Sequence, residues 1–133
     1  MDDEINRIRE RRIQELKAKM KHTVIADIHN VDEMHFQEFI KTHSFVVLDF
    51  WAEWCAPCRR VGVVLEELSK EFSGRVTFGK CNTEDNRHLA MQFNITAIPS
   101  IMLFSQGQLV DRIIGAYPKE AIREKINRKF NLK

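Results

Sequence analysis

Hydrophobic and polar positions follow two different patterns along this 133-residue chain, and the change divides it in two. From Asp2 to about Lys21 the residues Ile5, Ile8, Ile13, Leu16 and Met20 fall within one arc of a helical wheel, and the segment is otherwise highly charged. Its acids lead and its bases trail, the order that a helix dipole favours. From His22 onward, short apolar runs alternate with helical periods. Val24 to Ile28 reads as a first strand. Asn30-Val31-Asp32-Glu33 reads as a capping box opening a helix to about Ile40. Phe45 to Trp51 is almost unbroken in its apolarity, as expected of a strand buried on both faces.

A helical stripe of Val61, Val64, Leu65, Leu68 and Phe72 then predicts a helix from Cys58 to Phe72, stopped by Ser73-Gly74. Val76 to Asn82 is a strand, Asn86 to Phe93 a short helix and Ser100 to Ser105 a strand. Gln106-Gly107 turns the chain into a last strand, Gln108 to Ile114, in a hairpin. Gly115 to Tyr117 leads to Pro118 in the first turn of a final helix. The order βαβαβαββα predicts an α/β fold with a central mixed five-stranded sheet flanked by helices. An N-terminal amphipathic helix (residues 1–22) precedes that domain (residues 23–133).

One cluster carries the chemistry. Cys55-Ala56-Pro57-Cys58 stands where the apolar strand gives way to a helix, the sequence form of a dithiol redox centre. With Cys55 capping the helix and Cys58 in its first turn, both thiols share one face and can close a small disulfide ring. Cys55 then meets unpaired backbone N–H groups and the positive end of the dipole, which favour a thiolate. A thiolate is the species that attacks disulfides. The other reading is a pair of structural or zinc-binding thiols. Zinc takes four protein ligands in such sites, and no second C-x-x-C or His-x-x-x-His accompanies this one, so no metal is expected.

The stretch from Val47 to Cys58, with Asp49-Phe50-Trp51-Ala52-Glu53-Trp54 before the cysteines, resembles the active-site segment of the thioredoxin family. Ala97-Ile98-Pro99-Ser100 is similar to that family's cis-proline loop. Gly107 between two apolar pairs, with Gly115 after it, resembles the final hairpin. The chain departs from the family pattern at Ala56, where glycine is typical, and at Val63, where proline is usual. Asn94 stands where a glycine is common, and asparagine is the next-best residue for a left-handed helix end.

The resemblance implies roles for named residues. Cys55 is the nucleophile and Cys58 the resolving thiol, with the disulfide itself in place of any cofactor. Asp49 interrupts an apolar strand, where a buried carboxyl has a raised pKa, and the family makes it the proton acceptor for Cys58 through water. Otherwise it is a strand-end aspartate reaching solvent. Lys80 matches a family lysine beside that acid, or else it is a snorkelling surface residue. Pro99 is implied to be cis, presenting the Ile98 backbone to an extended substrate. Trp54, Ala97, Ile98, Pro99, Gly115 and Ala116 would line a shallow substrate groove, with Trp51 packing beneath. Cys81 reads as a buried small hydrophobe, the alternative being a regulatory thiol.

Composition narrows the rest. The formal net charge of +2 is too small to argue for nucleic acid. All of that excess lies in the first 22 residues, which carry seven bases and five acids. No secretory signal and no membrane-spanning apolar stretch is present, so the expected setting is cytoplasmic. The function expected is a protein disulfide reductase acting on disulfide-containing proteins and re-reduced by a thioredoxin-reductase-type electron donor. The competing function is a thioredoxin-fold adaptor, with the N-terminal helix docking a partner protein or another copy of this chain.

Overall fold

A computed structural model describes residues 2–22 and 25–132. After α1 (Asp2–His22), the elements run β1 (Ile28–Asn30), α2 (Phe36–Thr42), β2 (Phe45–Trp51), α3 (Ala56–Glu71) and β3 (Thr77–Asn82). Then come α4 (Arg87–Gln92), β4 (Ser100–Ser105), β5 (Gln108–Ile114) and α5 (Lys119–Lys129). The five strands form one sheet in the order β1-β3-β2-β4-β5. β1, β3 and β2 are parallel, while β4 runs antiparallel to both β2 and β5. The mixed five-stranded sheet read from the sequence is therefore the one observed.

Alternation along β2 sends its side chains to two cores. Val46, Leu48 and Phe50 face Phe36 and Ile40 of α2 and Leu89 of α4. Val47 points the other way, into Val61, Leu65 and Leu68 of α3 and Ile122 and Ile126 of α5. Asp49, two residues on, shares the α3 face. Gly79 in β3 answers a close approach, since a Cβ there would come within 2.9 Å of Val31 Cγ2 and 3.2 Å of Leu48 Cδ1. Gln106 and Gly107 both have positive φ (52° and 78°), as a tight two-residue hairpin requires.

Two expectations are corrected. The first strand starts at Ile28, not at Val24, which lies outside the described residues. β3 begins at Thr77, opposite Asp27, so residues 25 and 26 have no strand to pair with. Asp27 instead donates its N–H to Ser69 Oγ on α3 at 3.3 Å. The capping box does not form either. Asn30 pairs with Lys80 in the sheet, and Glu33 gives its N–H to Asn86 Oδ1 at 2.9 Å. Asp32 Oδ1 accepts the His35 N–H at 2.9 Å and holds a turn, so α2 starts only at Phe36.

α1 stands apart in kind. Its Ile5, Ile8 and Ile13 are each about half exposed and Leu16 is 60% exposed. The side chain of Met20, the last member of the stripe, lies outside the described residues.

Candidate active site

β2 ends at Trp51, a two-residue turn follows, and Cys55 becomes the N-cap of α3. Its backbone is extended, its Sγ accepts the Cys58 N–H at 3.3 Å, and Pro57 occupies the first turn without wasting a donor. Cys55 and Cys58 are joined in a disulfide with their Cα atoms 5.3 Å apart. Both cysteines are buried, at 4% and 3% exposure, so burial does not distinguish them. The cap does: only Cys55 sits at the helix N-terminus with an N–H aimed at its sulfur. On reduction, that position favours negative charge on Cys55.

The cis Ile98–Pro99 peptide lies against this turn, and the Ile98 carbonyl oxygen is 3.9 Å from Cys55 Sγ. Pro99 is buried and Ile98 half-buried. A shallow cleft beside them is lined by Trp54, Thr83, Ile95, Thr96, Ala97 and Ile98. Gly115 and Ala116 do not line that cleft. Gly115 has φ +104° and donates its N–H to the Pro99 carbonyl at 2.8 Å, bracing the loop from the β5 side, while Ala116 is exposed nearby. Trp54 is 69% exposed and its indole N–H donates to Glu84 Oε1 at 3.2 Å. Glu84 is held in turn by Arg87, 3.3 Å from its other oxygen.

Asp49 is 4% exposed, and its Oδ1 has no hydrogen-bond partner among the described residues. Burial pushes its pKa up to about 7, against a lowering pull from Lys80. Lys80 is its register partner on β3 and also places its Nζ 5.5 Å from the Trp51 ring centroid. The sheet thus brings these three residues together. A crevice of about 200 Å³, walled by Gly62, Leu65 and Glu66 of α3, reaches Asp49 and Lys80. A Cβ on Gly62 would meet nothing within 4 Å, so α3 leaves this opening free. A carboxyl with an unpaired oxygen in a roomy polar crevice is a place for water.

Sequence reasoning missed Glu84, Thr83 and the crevice walls. Glu84 is brought to Trp54 because β3 runs parallel to β2, with the Thr83 N–H on the Trp51 carbonyl at 2.9 Å. No local pattern announces a contact across 30 positions. Gly62 did carry a signal, as a glycine in mid-helix, but not one that pointed to Asp49. Cys81 is fully buried, and its thiol is pushed up to about 12 by burial and nearby acids, which makes it inert. Among the described residues, no group of three or more His, Cys, Asp or Glu could hold a metal ion.

Residues 27–128 match the model of the thioredoxin family. A chloroplastic M-type thioredoxin of Spinacia oleracea is 35% identical over 105 residues, which cover 78% of this chain and 58% of the spinach protein. A thioredoxin of Pyropia yezoensis is 40% identical over 92 residues, covering 69% of this chain and 86% of the algal one. One from Synechocystis sp. is 42% identical over 93 residues, with 69% and 87% covered. Among solved structures, a mutant thioredoxin from Halobacterium salinarum NRC-1 aligns with a TM-score of 0.74 over 84% of this chain and 97% of that one. At 22% identity that likeness concerns the fold alone.

Proposed function

The chain belongs to the thioredoxin family and is a thiol–disulfide oxidoreductase, and on that premise we propose that it reduces protein disulfides with Cys55 as nucleophile and Cys58 as resolving thiol. The observation that carries the assignment is Cys55 at the cap of α3, its sulfur receiving the Cys58 N–H. The Cys55 thiolate attacks one sulfur of a substrate disulfide, and the other substrate sulfur leaves as a thiolate that takes up a proton. Cys58 passes its proton through water to Asp49, and its thiolate attacks Cys55 Sγ. The mixed disulfide breaks, the second substrate thiol is released, and Cys55–Cys58 is oxidised. Two electrons have gone to the substrate.

Asp49 suits this step because a pKa of about 7 lets it accept a proton near neutrality and return it to solvent through the crevice. Lys80 supplies the opposing charge that keeps the pKa from rising further. The cleft flanked by Trp54, Ala97 and Ile98 would receive an extended substrate segment, with the Ile98 backbone pairing with it and Pro99, Gly115 and Ala116 around the loop. A donor of the thioredoxin-reductase type would restore the dithiol, in a reducing, cytoplasmic setting. Residues 23–133 form the catalytic domain in this reading, with residues 1–22 as an extension to it.

Dithiothreitol-driven reduction of insulin tests the reading. Turnover well above dithiothreitol alone is expected from the wild type, and none above that baseline from Cys55→Ser. A wild type that adds nothing to the chemical rate would sink it. The exposed Ile5, Ile8, Ile13 and Leu16 favour a second reading, an adaptor that docks through α1. Removal of residues 1–22 separates the two, because a reductase keeps its turnover without them.

A further inference from the structure

We propose that α1 is a self-association element, and that two copies of this chain pair their first helices antiparallel through the face carrying Ile5, Ile8, Ile13 and Leu16. At half to three-fifths exposure, these side chains belong to neither hydrophobic core of the described residues. The helix spans 21 residues, about 30 Å. At 100° per residue, its five apolar positions, Met20 included, occupy an arc of about 140°, wide enough for one helix to bury against.

Symmetry and charge make a second copy of α1 the occupant. The stripe Ile5, Ile8, Ile13 and Leu16 is its own reverse about a centre between Glu10 and Arg11. Inverted there, Ile5 of one copy falls opposite Leu16 of the other, and Ile8 opposite Ile13. The same inversion sets the acidic end, Asp2-Asp3-Glu4, against Lys17 and Lys19, with Lys21 just beyond. A parallel pair would stack acid on acid and base on base, so the charge pattern selects the antiparallel one. Arg9 and Arg12 lie within the apolar arc and must carry their guanidinium groups out along its edge. They limit the apolar seam, and two helices of this length bury less than the ~1,200 Å² of a stable interface. The pairing is therefore weak and concentration-dependent, and it leaves the dithiol of each copy free.

Sedimentation equilibrium of the full-length reduced protein tests this. The expected result is a monomer–dimer equilibrium developing between about 10 µM and about 1 mM, weakened by added salt. Ile8→Asp with Leu16→Asp should weaken it at least about tenfold while insulin turnover stays at the wild-type value. Asp3→Lys with Glu4→Lys, which makes both ends basic, should weaken it several-fold. Adding Lys19→Glu and Lys21→Glu to that variant should restore it, because the ends are again complementary. A dimer indifferent to both charge changes would overturn the antiparallel pairing. A wild type monomeric at every concentration would overturn self-association altogether. Co-sedimentation of that monomer with phosphatidylserine vesicles would assign the face to a lipid surface instead.

Discussion

Asp49 and Glu71 are both carboxylates on the α3 side of the sheet, and their surroundings drive them in opposite directions. Asp49 is buried without a hydrogen-bond partner for one oxygen, and desolvation raises its pKa to about 7. Glu71 lies at the seam between α3 and α5, where Arg123 Nη2 is 2.7 Å and Lys119 Nζ 3.2 Å from its Oε1. Hydrogen bonds from Arg123, with Lys119 behind, pull its pKa down to about 2. The same functional group is kept ready to gain a proton in one place and kept from gaining one in the other. One position serves chemistry at a cost in stability, and the other ties two helices together.

That contrast is sharpest in the pH dependence of stability. The Asp49 pKa is higher in the folded state than in the unfolded chain, whose value is near 3.8. The unfolded state therefore ionises first, and stability falls as pH rises from about 4 to about 7. Three units correspond to about 4 kcal/mol at full expression. Asp49→Asn should remove that loss, leaving the mutant more stable than wild type at pH 8 by up to about that amount and nearly equal at pH 4. Urea denaturation of the oxidised protein at both pH values measures this, and equal gains at the two would refute the linkage.

In activity the sign reverses. Asp49→Asn should slow the resolving step at least tenfold at pH 7, about 1.4 kcal/mol of barrier, and abolish its pH dependence near neutrality. Rapid-quench kinetics of mixed-disulfide decay would read it. A smaller effect is expected of Lys80→Gln. Loss of the one lowering influence on Asp49 should move its titration upward, by about a unit or less, in carboxyl carbon NMR. An unmoved or lowered midpoint would place Lys80 outside the Asp49 environment.

Glu71→Gln should have the smallest effect. A depressed pKa contributes stability that is present above about pH 4.5 and lost as pH falls toward 2. The side chain is 37% exposed, so solvent screening cuts the contribution to about 1 kcal/mol or less. The mutant should match wild type near pH 2 and lose that small margin at pH 7, with insulin reduction untouched. A loss of activity would mean that the seam does more than hold α3 against α5.

Much of this was readable from the residues in order. Where a signal is local, as in Phe45–Trp51 running into Cys55-x-x-Cys58 or in the Gln106-Gly107 turn, expectation and structure agree. Asp49 could be picked out because a lone carboxyl in an apolar strand has few reasons to be there. What escaped depends on long-range pairing. The capping box failed because β3 claims Asn30 and Asn86 claims the Glu33 N–H. The Trp54–Glu84 contact and the opening at Gly62 exist only once parallel strands and α3 are laid side by side. α1 and α3 make the same point from their stripes: both are helical in period, but among the described residues the α3 stripe is in a core and the α1 stripe is exposed. Periodicity identifies a helix; it does not name what covers it.

The whole cycle depends on Cys55 attacking and Cys58 resolving. Mixing each reduced single mutant with an excess of a disulfide-containing protein, then analysing the products by intact mass without reductant, separates the two roles. Cys58→Ser should accumulate a stable mixed disulfide through Cys55, and Cys55→Ser should accumulate little or none. The reverse pattern, with Cys58 trapping substrate and Cys55 idle, would contradict the roles that the helix cap implies.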